Sequence, residues 1–291
     1  MKEQCCQFGE RGHLAGIVTE PDAASGPPRG ALVLISAGLV PKSGPFRLYA
    51  ELARRLSREG IVTLRFDLGG VGDSQPAHAG LTLRERTARD VAEAVDWLVE
   101  HHGPPALVLG GLCSGAEDAF RSAERDSRIG GVVLVDPFAY RTRGFLARHL
   151  LHRAVRRARR ALGLYRPIAP GRTALAPGSS ERVVDYEYME HHESSRILRE
   201  LVARRSHVHF VYTGGAREKF NHAGQLDAMF EGFSFDGMVT VDHLPALEHT
   251  QLLAADRSTL IDAIARRLHW LTEAVSSAPK KSAPSRAAAP M

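Results

Sequence analysis

The chain predicts an α/β fold: a mostly parallel central sheet with helices on both faces. Three observations carry that expectation. Short continuous apolar runs rich in branched residues recur along the first half. Amphipathic segments of helical period lie between them. Gly-rich stretches mark the junctions. The first strand candidate is His13 to Thr19, followed by a Gly/Pro/Ser loop from Ala23 to Gly30. Ala31 to Ser36 (ALVLIS) is too short for a helix and reads as a buried strand. Phe46 to Glu59 sets Leu48, Leu52, Ala53 and Leu56 on one helical face, and Gly60 stops it. Ile61 to Phe66 is the next strand, and the Gly-rich loop Asp67 to Ser74 follows. Arg84 to His101 carries an apolar stripe of Val91, Ala94, Val95 and Leu98 and ends at Gly103-Pro104-Pro105. Strand Ala106 to Gly110, a helix from Ala116 to Arg125 and strand Gly131 to Val135 complete the alternation.

The alternation breaks between Tyr140 and Arg205. Helical, Arg-rich pieces (Arg141 to Leu162 and Glu193 to Ala203) flank a Pro/Gly/Ser loop from Arg166 to Ser180. Strands resume at His207 to Tyr212 and Met238 to Val241, and Thr250 to Leu271 is a closing helix. The expected organisation is one domain over residues 1–275, with residues 141–205 a helical cap over the carboxyl ends of the strands, where open α/β sheets bind ligands. Residues 276–291, rich in Pro, Ala and Ser, read as a disordered tail.

Composition narrows the classes. The 291 residues are 44% hydrophobic and 24% charged, which excludes fibrous and wholly disordered chains. No run approaches the ~20 apolar residues of a membrane span. The net charge of +5 is carried almost wholly by Arg, since Lys occurs only at 2, 42, 219, 280 and 281. No secretory signal is legible at the N-terminus, so the cytoplasm is the expected compartment and a disulfide framework is not expected of three Cys. Cys5 and Cys6 lie near an end read as mobile. A metal site made of Cys5, Cys6 and His13 lacks paired spacing, and no metal or cofactor is expected.

Cys113 is the residue that calls for explanation. A free Cys is often buried filler. Here, however, a strand runs into Gly111-Leu112-Cys113-Ser114-Gly115 and then a helix. Gly-x-nucleophile-x-Gly between strand and helix makes a sharp turn that projects the central side chain and turns the next amide, Ser114, toward a developing oxyanion. The helix N-terminus beneath Cys113 favours thiolate.

On these residues the chain resembles an α/β hydrolase with Cys113 where most members carry Ser. The likeness covers roughly residues 30–270. Leu64 to Ser74 (LRFDLGGVGDS) resembles the family's R-x-D-x-x-G-x-G-x-S loop. GLCSGA, DPFAYRTR and EHT are similar to segments of hydrolases linked to exosortase and exopolysaccharide clusters and of the serine-aminopeptidase-like branch. The resemblance implies the chain order nucleophile, acid, His. It assigns His249, before the closing helix, as general base, with His243 too near the strand end to compete. The acid is open. The loop after His207 to Tyr212 offers no Asp at the usual place, only Glu218 between Arg217 and Lys219. Asp136, at the end of strand GVVLV, is the other location and is slightly favoured; a Cys-His dyad is a third reading. By position, Leu39 would supply the second oxyanion amide after Ala37-Gly38, beside Ser114. Asp67 and Ser74 read as loop braces.

The expected function is hydrolysis of an ester or thioester through an acyl-Cys intermediate. The alternatives are an acyltransferase using a carrier-protein or coenzyme A thioester, and a non-catalytic binding member of the fold. The expected partner is a small-molecule or carrier-bound acyl substrate. Arg153, Arg156, Arg157, Arg159 and Arg160 make the cap cationic, which fits an anionic donor or a membrane surface, or is simply a solvated face; no motif points to nucleic acid.

Overall fold

Alternation within the apolar runs decides how the chain folds. In β3 (Gly30–Ile35), Ala31, Val33 and Ile35 join one core cluster while Leu32 and Leu34 join another. Successive side chains of a strand point to opposite faces, so a run apolar at every position must be covered on both. β4 (Ile61–Phe66), β5 (Leu107–Leu112), β6 (Gly131–Val135) and β7 (His207–Thr213) are likewise buried throughout. The computed structural model describes residues 1–22, 26–162 and 188–277.

The sheet has eight strands in the order β1-β2-β4-β3-β5-β6-β7-β8, with β1 spanning Lys2–Phe8, β2 Leu14–Glu20 and β8 Val239–Leu244. Strands β4 to β8 and β3 are parallel, and β1 and β2 form an antiparallel hairpin on the edge. Helices α1 (Leu48–Ser57) and α7 (Ala254–Ser277) cover one face through Leu52, Leu56, Leu260 and Leu268. Helices α2 (Leu83–His102) and α3 (Ser114–Arg125) cover the other through Val91, Leu98, Ala119 and Phe120. Thr82 and Glu85 form a reciprocal capping box at the start of α2, and Gly103 closes it in the left-handed region. The chain leaves β3 toward β4 on one side and returns to β5 on the other. This is the reversal at which open α/β sheets form their crevice, and the loops after β3 and β5 meet there.

Two segments depart from the sequence expectation. The N-terminus is not a loose end: β1 pairs with β2 from Lys2↔Glu20 to Phe8↔Leu14. The reason is a short inward alternation in KEQCCQF, where Cys6 and Phe8 face the core and Phe8 packs on Phe66 and Trp97. Glu3 fixes the outer side by pairing with Arg54 at 2.7 Å and Arg65 at 3.2 Å. Between β6 and β7, α4 (Arg143–Ala161) leaves Leu146, Leu150 and Leu151 exposed. In contrast, α5 (His191–Ala203) buries Ile197, Leu198, Leu201 and Val202 in the same cluster as α2 and α3. The Arg166 to Ser180 loop lies outside the described residues, as does the tail from residue 278 onward. α6 (Gln225–Met229) is a single short turn that contains Asp227. Among the described residues no helix is long and apolar enough to cross a membrane.

Candidate active site

The turn between β5 and α3 is strained at its apex. Cys113 sits at φ 54°, ψ −120°, where a side chain is rarely tolerated. Its N–H donates to the Val135 carbonyl at 2.8 Å, and its own carbonyl accepts from Ala116 and Glu117 at 3.0 and 3.2 Å, which locks the turn. Both flanking glycines are required by space. A Cβ on Gly111 would lie 2.4 Å from the Gly115 backbone, and one on Gly115 would lie 2.4 Å from the Ile35 carbonyl oxygen. The Cys113 side chain is exposed.

Beside it stand a histidine and a carboxylate from distant parts of the chain. His249 Nδ1 is 2.7 Å from Asp136 Oδ2, and Cys113 is near enough to the ring to raise its proton affinity. Asp136 follows β6 at φ 45°, a conformation that Asp tolerates better than most residues, and its side chain is 3% exposed. Buried carboxylates need donors. Thr213, the last residue of β7, supplies two: its N–H to Oδ1 at 2.6 Å and its hydroxyl to Oδ2 at 2.5 Å. The Asp136 hydrogen bond first, and then Cys113, raise His249 from its usual 6.5 to about 10 against the opposing effect of burial. Gly215 makes room for this ring, since a Cβ there would come 2.4 Å from the His249 Cβ.

The remaining sequence-predicted residues are placed as follows. Glu218 is exposed on the loop after β7, and its carbonyl accepts from Arg141 Nε at 3.1 Å. It is not brought to His249. His243 lies inside β8, three strands away from β5. Ser114 opens α3, so its N–H lies in the first turn, where no intrahelical acceptor exists. Its hydroxyl accepts from Gly38 N–H at 2.9 Å, which docks the Ala37-Gly38-Leu39 turn onto the start of α3. The Leu39 side chain is exposed. Asp67 braces this turn from beneath: Oδ1 accepts Lys42 N–H at 2.5 Å, and Oδ2 accepts Lys42 Nζ at 2.6 Å and Asp73 N–H at 3.0 Å. The Ser74 hydroxyl closes the loop on the Asp67 carbonyl at 2.6 Å.

A cavity of about 400 Å³ opens beside this turn, lined among others by Leu39, Ser114, Leu68, Val71, Arg86 and Asp118. Burial raises Asp118 to about 6 despite nearby Arg121. Arg86 Nε is buried with no acceptor among the described residues. Sequence reasoning overlooked Thr213, Gly215 and Arg86. For Thr213 a signal existed: it stands at the strand end where relatives keep their acid, one strand over from Asp136.

Gly38, Cys113, Asp136 and Thr213 thus meet at the carboxyl ends of β3, β5, β6 and β7, and His249 reaches them from the loop after β8. The whole fold recurs in known structures. The α/β hydrolase GrgF from Penicillium sp. sh18 superposes with a TM-score of 0.58 at 17% identity, covering 94% of this chain and 99% of that one. Est1E from Butyrivibrio proteoclasticus gives 0.58 at 11% identity, covering 92% and 99%. XC6422 from Xanthomonas campestris, an α/β serine hydrolase without a lid, gives 0.55 at 14% identity, covering 96% and 98%. No curated protein matches the chain in sequence. Residues 26–209, more than half of the chain, match the family model described as serine aminopeptidase, S33, and the chain belongs to that family of α/β hydrolases.

Proposed function

We propose that the protein hydrolyses an ester or thioester through an acyl-Cys113 intermediate. The observation that carries this reading is the His249-Asp136 hydrogen bond beside Cys113, which is exposed at the apex of a strained turn next to a cavity. His249, whose proton affinity is raised by Asp136, takes the Cys113 proton as Sγ attacks. Cys113 Sγ attacks the substrate carbonyl carbon. The oxyanion that forms is met by the Leu39 and Ser114 amides. Collapse breaks the bond to the leaving alkoxide or thiolate, which takes the proton from His249. Water then attacks the acyl-Cys carbon and passes a proton to His249. The second tetrahedral species expels Sγ, the carboxylic acid leaves, and the resting pair is restored.

Cys in place of Ser favours thioester substrates, because thiol-thioester exchange is nearly isoenergetic. If an alcohol or amine replaces water in the second half, the same intermediate makes the protein an acyltransferase. The Arg86 guanidinium on the cavity wall offers a place for a substrate carboxylate or phosphate, which fits carrier-bound or coenzyme A donors. A purely binding role sits poorly with a complete Cys-His-Asp chain.

Intact mass spectrometry tests the reading. The protein is mixed with short acyl thioesters, quenched in acid and compared with Cys113→Ala; iodoacetamide labelling is run in parallel. An acyl adduct that maps to Cys113, vanishes in the variant and decays in water supports hydrolysis. Decay only with an added alcohol or amine supports transfer. A wild-type protein that forms no adduct with esters or thioesters sinks the acyl-Cys mechanism.

A further inference from the structure

Beside α2, four ligating side chains from three parts of the chain meet. His13 precedes β2, His78 lies in the loop between β4 and α2, and Asp90 and Glu93 stand one turn apart on α2. One ligand atom from each lies within 4.8 Å of all the others. We propose that these residues form a binding site for a divalent cation of the Zn²⁺ class that fastens the edge hairpin to the body of the fold.

The spacing fits an ion better than direct bonds. His13 Nε2 is 3.4 Å from Asp90 Oδ1 and 3.7 Å from Glu93 Oε2, and His78 Nε2 is 3.5 Å from Glu93 Oε1. Good charge-assisted hydrogen bonds are shorter, about 2.7–2.9 Å. A tetrahedron with bonds of 2.0–2.2 Å has edges of about 3.3–3.6 Å, so ligand atoms all within 4.8 Å of one another need close by no more than about 1.5 Å to hold an ion. His78 Nε2 is buried with no hydrogen-bond partner among the described residues, an orphan that a metal would satisfy. The outer groups are set for ligation as well. His13 Nδ1 contacts the Glu10 carbonyl at 3.0 Å; a carbonyl can only accept, so Nδ1 carries a hydrogen and Nε2 is the ring atom left for a metal. The second Asp90 oxygen accepts Gly69 N–H at 2.8 Å, and Glu93 Oε2 accepts Glu10 N–H at 3.3 Å.

The backbone makes concessions to this cluster. His78 adopts φ 57°, strained for a histidine. A Cβ at Gly9 would lie 2.5 Å from Glu93 Oε2 and 2.8 Å from the His13 ring, so only glycine fits beneath it. Two carboxylates neutralise a divalent charge; Arg89 lies 3.6 Å from Glu93 Oε1 and 3.6 Å from Glu10 Oε2, so Glu10 offsets the guanidinium beside the cluster. Two imidazoles select against Mg²⁺ and Ca²⁺, and the absence of thiolate sets the site apart from the cysteines. Four protein ligands leave no open position, so the role is structural. Through Gly69 the site also holds the wall of the cavity beside Cys113.

The test uses the full chain carrying Cys113→Ala, which removes a competing thiol. After chelation, reloading with excess Zn²⁺ and desalting, one Zn²⁺ per chain by elemental mass spectrometry is expected. At a hundredfold excess over Kd, Zn²⁺ should raise Tm by roughly 5–10 °C, and Mg²⁺ should not. Co²⁺ should give tetrahedral ligand-field absorption with no thiolate charge-transfer band. In His78→Gln and, separately, Glu93→Gln, affinity should fall by more than the ~10–100-fold typical of an outer-group change, with the apo Tm of at least one variant near that of the parent. Zinc binding that survives both substitutions, a charge-transfer band, or no stoichiometric binding overturns the site.

Discussion

Replacing Asp136 with Asn probes the candidate site most sharply, because three donors converge on two oxygens. Oδ1 accepts Thr213 N–H, and Oδ2 accepts both the Thr213 hydroxyl and His249 Nδ1. Asn keeps the shape but has one acceptor and one donor end. The Thr213 N–H cannot rotate, so the Asn oxygen must serve it, and the Asn NH2 then faces Thr213 Oγ1 and His249 Nδ1. The hydroxyl can turn and accept. His249 Nδ1 can accept only by moving its hydrogen to Nε2, and in that form it cannot take a proton from Cys113. The charge that raises His249 disappears at the same time. An opposite charge at this range is worth about 1–3 pKa units, so the His249 titration should fall from about 10 by that amount. General-base catalysis contributes about 10²–10⁴-fold, and kcat/KM for thioester hydrolysis should drop by that order. The assays are ring-proton NMR of His249 across pH 5–11 and steady-state hydrolysis on the same samples. Glu218→Gln, altered at an exposed side chain, should leave both readings at wild-type values. If Asp136→Asn leaves the His249 midpoint and kcat/KM unchanged, the Asp136-His249 pairing has no part in the chemistry.

Further predictions follow from the same geometry. Gly215→Ala sets a Cβ within 2.4–2.6 Å of the His249 side chain, so it should displace the ring and cut turnover at least about tenfold while circular dichroism stays native. Removing a charged hydrogen-bond partner costs about 1.5–3 kcal/mol, so Arg86→Ala should raise KM for acyl substrates bearing a carboxylate or phosphate by about tenfold or more, with neutral substrates unaffected. His249 has a raised folded value, so its share of stability is complete below about pH 6.5 and is lost as pH rises toward about 10. Urea midpoints from pH 6 to 10.5 should therefore fall more steeply in wild type than in His249→Gln. Leu198→Ala, in a fully buried position of α5, should cost about 2–5 kcal/mol in denaturant unfolding, as expected of a helix that belongs to the sheet's cover.

What the sequence made legible was local. A run such as ALVLIS or GVVLV declares a doubly buried strand, because the code is the period of its own side chains. The Gly-x-Cys-x-Gly turn is visible for the same reason: each glycine answers a clash with backbone only a few residues or one strand away. The position of His249 was legible through chain order alone. β1 was missed because its inward pattern is just Cys6 and Phe8, too brief to distinguish from a loose end.

The carboxylate was undecidable in sequence for a different reason. The choice between Asp136 and Glu218 depends on which strands are neighbours. Only when β6 lies against β7, in the register Val135↔Val211, does the end of one strand bring Asp136 to the end of the other at Thr213. No spacing along the chain encodes that adjacency. Thr213 then accounts for why the place after β7 can do without an acid. Its amide and hydroxyl anchor a carboxylate reaching over from β6, and Gly214 and Gly215 keep that path clear for His249. The same reasoning applies to His13, His78, Asp90 and Glu93. Considered one at a time, these residues look like ordinary polar positions, and His13 lies close in sequence to Cys5 and Cys6, which face elsewhere on the hairpin. Their meeting is created by the pairing of β2 with β4 and by the turn of α2 that places residues three apart on one side. Both clusters are products of tertiary adjacency, and so the decisive experiments are those that alter one partner and read the state of another.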